Sequence, residues 1–239
     1  MPSSAKLLLI VKLIEPVPSA ALILVRDRND GQGEILLVKR HSKSGFMPNT
    51  FVFPGGKHDD ADENLKATAA RETKEEISVS LAPTELLAWS HWITPSHSKR
   101  RFAANFYIAQ CPPHAKVQID NHEIVDACWC TPGEALGPKN EKLLPPPQLR
   151  TLYELQKAGH KSAHWISAAH KRTKHITPYL PRRHKEAADP TLMLPWDPEY
   201  LSHGNGEALE MAADHPFCEG PSRFTRKDAA WHHHFSQPA

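Results

Sequence analysis

Cysteine is scarce in this chain: four thiols, Cys111, Cys128, Cys130 and Cys218, in 239 residues. They are too few and too scattered for a disulfide-stapled scaffold. They read as free thiols in a reducing compartment, so a cytoplasmic location is expected. A long apolar run is missing too. The best stretch near the start, residues 7–14, is broken by Lys12 and followed by Glu15, so it is not expected to act as a secretory leader. With a mean hydropathy of −0.51 the chain does not read as membrane-embedded. Nor is there an excess of one charge. Twenty-nine Lys and Arg face 27 Asp and Glu, and a net charge of +2 directs the chain neither to nucleic acid nor to a membrane surface.

What is present is an ordinary globular composition, 40% hydrophobic and 23% charged, in a chain long enough to bury a core. The charge is unevenly spread. Between positions 150 and 185 nine Lys and Arg stand against the single acid Glu154. This basic stretch is interleaved with Tyr153, Trp165 and Tyr179, so it reads either as a solvated helix face or as an attraction for a polyanionic ligand.

Apolar runs at 19–26 and 34–39, separated by Asp-Arg-Asn-Asp-Gly-Gln-Gly, predict two strands and a turn. A third strand at 51–53 ends in Pro54-Gly55-Gly56, where a permissive backbone allows a tight turn. Residues 64–77 hold good helix formers without Gly or Pro, with Asp62 or Asn64 available as the cap. Strands are expected at 86–93, 102–109 and 124–130, then a short helix from Pro132 and a helical segment at 148–157. Beyond 177 the chain is rich in Pro and His, and it reads as an extended arm to about 200 with a less ordered tail beyond. The order of elements is an α+β pattern around a mixed sheet.

The helix at 64–77 carries the chemistry. Glu72, Glu75 and Glu76 fall within about 100° of one face, while Ala69, Ala70, Thr73 and Ile77 form a small-to-apolar stripe suited to packing on a sheet. The carboxylates are therefore expected to face outward from a rigid element. Crowded carboxylates suit a hard divalent cation that also binds substrate phosphates. The alternative is a solvated acidic face stabilised by an Arg71–Glu75 pair.

The residues around this helix resemble the Nudix box, which runs Gly, five residues, Glu, seven residues, then Arg-Glu-apolar-any-Glu-Glu-any-Gly-apolar. Glu63 precedes Arg71 by eight positions, and Arg71-Glu72-Thr73-Lys74-Glu75-Glu76-Ile77-Ser78-Val79 follows the pattern closely. Ser78 stands where the motif has its closing Gly, and six residues rather than five separate Gly56 from Glu63. Further segments are similar to the nudix hydrolase 19-type branch of coenzyme A diphosphatases: Phe51-Val52-Phe53-Pro54-Gly55-Gly56, Trp89-Ser90-His91-Trp92, Arg100-Arg101-Phe102, and Leu194-Pro195-Trp196-Asp197-Pro198. Ala103-Ala104 replaces that branch's usual Asp-Thr.

The resemblance implies a Nudix fold, a mixed β-sheet sandwiched between helices, with an additional C-terminal helical segment and arm. The expected organisation is a lead-in at 1–16, a hydrolase core at 17–140, the extension and arm at 141–200 and a flexible tail at 201–239. The resemblance further implies that Glu72, Glu75, Glu76 and the carbonyl of Gly56 hold Mg²⁺ or Mn²⁺, with Glu72, Glu75 and Glu123 as candidate catalytic carboxylates. Arg40, Arg100 and Arg101, whose guanidinium forks suit phosphates, and Phe53 are the candidate substrate contacts. The reaction implied is cleavage of a diphosphate in coenzyme A or an acyl-CoA. ADP-ribose, NADH or another nucleoside diphosphate derivative is the alternative substrate, and a nucleotide sensor without catalysis the second alternative. The expected partners are a small-molecule diphosphate and at most a second copy of the chain, with neither nucleic acid nor a membrane.

Overall fold

The computed structural model describes residues 14–172, 176–209 and 218–235. Of the expected lead-in and tail, residues 1–13, 210–217 and 236–239 lie outside them. The central sheet grows around β1 (Val17–Asp27), whose side chains are buried on both faces. One edge of β1 pairs antiparallel with β2 (Gly33–Arg40) and then with β4 (Gly55–Lys57), and the other runs parallel to β6 (Phe102–Gln110) along its whole length. β3 (Phe51–Val52) and β7 (Ile124–Cys130) extend the sheet beyond β2, and β5 (Leu87–Ile93) extends it beyond β6.

Continuous apolar runs in β1 and β2 mean that both faces of the sheet must be covered. The period of two sorts the side chains. Leu22, Leu24, Leu36 and Val38 pack with Ala69 and Ile77 of α1 (Leu65–Ile77). Ile23, Val25, Ile35 and Leu37 pack on the opposite face with Leu149, Leu152 and Leu155 of α3 (Pro146–Ala158) and with Trp165 of α4 (Ser162–Arg172). Burying each such aliphatic side chain contributes about 1.5–3 kcal/mol. The short α2 (Pro132–Leu136) is capped by Thr131, whose hydroxyl accepts from Glu134 N. This is the expected mixed sheet between helices.

Two features depart from the sequence reading. α4 falls inside the basic stretch, and its buried positions Ser162, Trp165, Ala169 and Arg172 recur at helical spacing. Three of the nine basic residues, Arg150, Arg172 and Arg182, are internal. Glu154 sits between Arg150 and Arg172, each guanidinium 2.7 Å from one of its oxygens, and Arg172 also lies 4.0 Å over the Trp89 ring. Arg182 is likewise buried, donating to the Tyr200 and Gly204 carbonyls.

The second departure is the supposed arm and tail. Among the described residues a second sheet forms in the order β11 (Gly204–Asn205), β9 (Arg182–His184), β10 (Thr191–Met193), β12 (Arg223–Lys227), β13 (Ala230–His234). The described part of 201–239 is therefore folded where a flexible tail was expected. Phe224 of β12 is fully buried and meets Trp92 edge to face at 6.4 Å, tying this sheet to the core. Two short pieces complete the path: β8 (Pro178–Tyr179), which joins the edge of β5, and α5 (Tyr200–His203).

Candidate functional site

The site forms where β4 crosses the acidic side of α1. Gly55 has φ +155, and a Cβ there would come within 2.3 Å of the Ala20 carbonyl oxygen. At Gly56 a Cβ would lie 2.4 Å from the Glu72 carboxyl group. The glycine pair thus lets backbone press directly onto carboxylates, as the chain must do wherever backbone groups serve a ligand. Asn64 caps α1, its Oδ1 accepting from Lys66 and Ala67 N–H.

The three box glutamates differ sharply in burial. Glu75 is exposed, Glu72 is half-buried, and Glu76 is only 4% exposed, with Oε2 accepting from Gly55 N–H at 2.9 Å. The expectation that all three face outward fails for Glu76, which continues the buried row of Ala69 and Thr73. Burial pushes its carboxyl up to about 8. The charges of Glu72 and Glu123 push the same way, while the Gly55 hydrogen bond and Arg40 oppose them. Burial also raises Glu72, against the pull of Arg71.

Arg71 organises the rim. Its Nε and Nη2 each donate to one oxygen of Asp62 at 2.9 Å, and Nη1 donates to Glu72 at 2.9 Å and to Glu75 at 3.0 Å. Nη2 also reaches the Lys57 carbonyl. The sequence spacing nominated Glu63 as the acid of this motif. Glu63 is instead exposed, with no hydrogen-bond or ion-pair partner among the described residues, and Asp62 takes the place opposite Arg71.

A cleft of about 1130 Å³ opens beside this rim, and Glu72, Gly56, Glu123, Arg40 and Phe53 all line it. Glu123 is exposed on the loop before β7, which is held by Asp120 accepting from the backbone of His122, Glu123 and Ile124. Arg40 donates through Nε to the Phe46 carbonyl, and Arg100, also on the wall, donates to the Gly45 carbonyl at 2.8 Å. Phe53 is buried edge-on to Phe106 at 6.1 Å. Glu75 and Glu76 are not wall residues. Glu75 is held by Arg71, and Glu76 is buried against Gly55.

Arg101 is also a wall residue of the cleft, but its donors are committed elsewhere. It is 3% exposed, its donors are directed to the Thr94 and Ile14 carbonyls, and it pairs with Glu207. Its fork fastens chain segments together instead of waiting for a phosphate. Conversely, the sequence reading missed Arg183, Arg226 and Trp231, wall residues contributed by the second sheet. The signal was a hairpin: Phe224 and Arg226 alternate with polar residues, then Asp228 and Ala229 turn the chain with φ values of 47 and 67. Two successive positive φ values mark the turn that suits a tight hairpin, but Asp-Ala disguises it where Asn-Gly would announce it.

A model of the NUDIX domain matches residues 16–153, more than half of the chain. The chain belongs to the Nudix family. Among curated Nudix relatives, it is 25% identical to the acyl-coenzyme A diphosphatase NUDT19 of Xenopus laevis, over 56% of this chain and 62% of that protein. It is 28% identical to the Nudix hydrolase YfcD of Escherichia coli K12, described as uncharacterized, over 44% of this chain and 56% of that one. The chain thus spans about three fifths of the length of these relatives. Its fold matches the crystal structure of a NUDIX hydrolase from Alicyclobacillus acidocaldarius with a TM-score of 0.54 at 20% identity, covering 68% of this chain and 97% of that one.

Nudix hydrolases act on phosphoric anhydrides and use divalent metal ions. Among the described residues no three His, Cys, Asp or Glu side chains already enclose a cation position. Arg71 bridges Glu72 and Glu75 instead. The donor set nevertheless fits a hard cation. It offers hard oxygen donors only, the carboxylates of Glu72, Glu75 and Glu76 and the backbone carbonyl of Gly56, a residue pressed against Glu72.

Proposed function

We propose that this chain is a metal-dependent Nudix hydrolase that cleaves the diphosphate of coenzyme A or an acyl-CoA, releasing 3′,5′-ADP and a 4′-phosphopantetheine product. The observation that carries the reading is the cleft. Its volume of about 1130 Å³ exceeds the ~300–1,000 Å³ of ordinary small-molecule pockets. The carboxylates Glu72 and Glu123 are among its wall residues, and Arg40, Lys57, Lys99, Arg100, Arg183 and Arg226 carry positive charge on its other walls. A long substrate with anionic groups at more than one place fits that pattern. The name of the Xenopus relative and the segments matching the nudix hydrolase 19-type branch support the same substrate.

Glu72, Glu75, Glu76 and the Gly56 carbonyl would hold Mg²⁺ or Mn²⁺. When bound, such an ion neutralises the diphosphate and lowers the pKa of a coordinated water. The chain's own residues do the rest. Arg71 fixes the directions of Glu72 and Glu75, and Gly55 N–H fixes that of Glu76. Glu123 stands on the cleft wall where it can accept the proton of the attacking water. Arg40 and Arg100 line the approach to the diphosphate, and Phe53 closes the apolar side.

The test is the product pair. Incubated with CoA and Mg²⁺ or Mn²⁺, the protein should yield 3′,5′-ADP and 4′-phosphopantetheine. Glu76→Gln should lower the rate by roughly 100-fold with unchanged circular dichroism, as expected when one charge-stabilising group is lost from a preorganised site. Turnover of ADP-ribose or NADH with CoA left intact would overturn the substrate assignment.

A further inference from the structure

The second sheet lies outside the matched family region, which ends at residue 153, yet one of its faces overlooks the cleft. Strand register defines that face. Arg183 pairs with Leu192, Leu192 with Phe224, and Arg226 with Trp231. Cross-strand partners share a face, as do residues two apart on one strand, so Arg183, Leu192, Phe224, Arg226 and Trp231 all point the same way. Phe224 is buried against Trp92, which fixes that direction as inward. Arg183, Leu192, Arg226 and Trp231 are all wall residues of the cleft.

The two arginines are unlike the others of the C-terminal region. Arg150, Arg172, Arg182 and Arg223 are each engaged with a buried or half-buried carboxylate or with backbone carbonyls. Arg183 and Arg226 are exposed and have no ion-pair partner among the described residues. The charge of Arg183 also lowers the pKa of His97, a wall residue contributed by the loop between β5 and β6, with burial the larger cause. Its field therefore reaches across to the Nudix core. Opposite Arg226, half-buried Trp231 offers an aromatic surface. Two guanidinium groups without ion-pair partners on one sheet face, with an indole opposite Arg226, suit a phosphomonoester attached to a nucleoside.

We propose that the inner face of the second sheet is a separate phosphate subsite. Arg183 and Arg226 there bind a phosphomonoester that is not part of the scissile diphosphate, and Trp231 packs against the neighbouring base. This deepens the reading of the chain as a coenzyme A hydrolase and rests on it: the 3′-phosphate of coenzyme A is such a group, and dephospho-CoA lacks it. Specificity for the phosphorylated nucleotide then resides in an element added to the family domain.

Binding tests this without turnover. By calorimetry, adenosine 3′,5′-bisphosphate should bind the wild-type chain about tenfold more tightly than adenosine 5′-monophosphate, the scale of a charge-assisted hydrogen-bond pair. The Arg183→Ala/Arg226→Ala variant should bind the two equally. In turnover, the variant should raise KM for CoA about tenfold more than it raises KM for dephospho-CoA, without changing kcat. Equal binding of both nucleotides by the wild type, or a preference that survives the double substitution, would overturn the proposal. CoA hydrolysis indifferent to the two arginines would refute this subsite and leave the proposed function standing. The arginine-dependent preference without any CoA hydrolysis would refute the proposed function and leave the subsite standing.

Discussion

Arg71 and Asp62 form a two-pronged pair, Nε to Oδ1 and Nη2 to Oδ2, both at 2.9 Å. A hydrogen bond to Arg71 holds the Asp62 carboxyl well below the usual carboxylate range. Through this pair the acidic loop before α1 fixes the guanidinium that in turn aligns Glu72 and Glu75.

Asp62→Ala should therefore cost about 1–3 kcal/mol in urea unfolding, the range for charge-assisted hydrogen bonds left unmade, and should lower kcat. Glu63→Ala should stay within ~0.5 kcal/mol, as exposed substitutions do. Equal effects from the two variants would show that Asp62 has no special place. The sign with pH follows: because its folded pKa is depressed, the contribution of Asp62 is complete above its unfolded pKa and is lost as pH falls through the folded one.

Glu76 behaves in the opposite sense. Burial pushes its carboxyl up to about 8, so near neutrality a cation must displace a proton to use it. Binding of Mg²⁺ should release up to one proton at pH 7, strengthen as pH rises toward 8, and weaken below. Calorimetry in two buffers of different ionisation enthalpy measures that proton directly. No release at pH 7, with metal bound, would place the cation away from Glu76.

Ser78 ends α1 with φ 58, in the left-handed region where the Nudix box has its glycine. That conformation costs a residue with a Cβ about 1–2 kcal/mol, and a glycine would forfeit about 0.5–1 kcal/mol of chain entropy. Ser78→Gly should thus stabilise the protein by about 0.5–1 kcal/mol, visible as a raised Tm. A lowered Tm would contradict this balance.

At Glu154, burial alone would raise the pKa, but the charges of Arg172 and Arg150 outweigh it and hold the carboxyl below its ordinary value. Its contribution to stability is present above the unfolded pKa and lost as pH falls through the folded one. Glu154→Gln leaves two buried guanidinium groups without their shared counter-charge and should cost about 3–5 kcal/mol. Thermal unfolding of this variant near neutral pH would check it, and a change under 1 kcal/mol would show that the triad is not what joins α3 to α4.

The sequence made the central sheet and α1 legible because both obey simple periods. Continuous apolar runs mark β1 and β2, and a small-residue stripe marks α1. The identity of the Arg71 partner was not legible from spacing. Asp59 accepts from the backbone N–H groups of Ala61 and Asp62, coiling the loop so that Asp62, one residue farther from it along the chain than the motif's acid, meets Arg71. α4 was hidden because two of its buried positions are Ser162 and Arg172, which a hydrophobic pattern counts as surface. The second sheet was hidden because its strands have two to five residues each, too short for a period to register. With it went the cleft wall that holds Arg183 and Arg226.

The parallel alignment of β1 with β6 sets an order of events during synthesis. β1 ends at Asp27, but the strand that covers its second edge begins only at Phe102. Until Gln110 has emerged, Ile23, Leu24 and Val25 belong to a strand with one edge open, and such edges invite pairing with other chains. Closing the loop between the two strands is the slow, non-local step of assembly. A nascent chain stalled before β6 is therefore the form most exposed to aggregation, and a holdase that binds extended apolar segments would act at that stage.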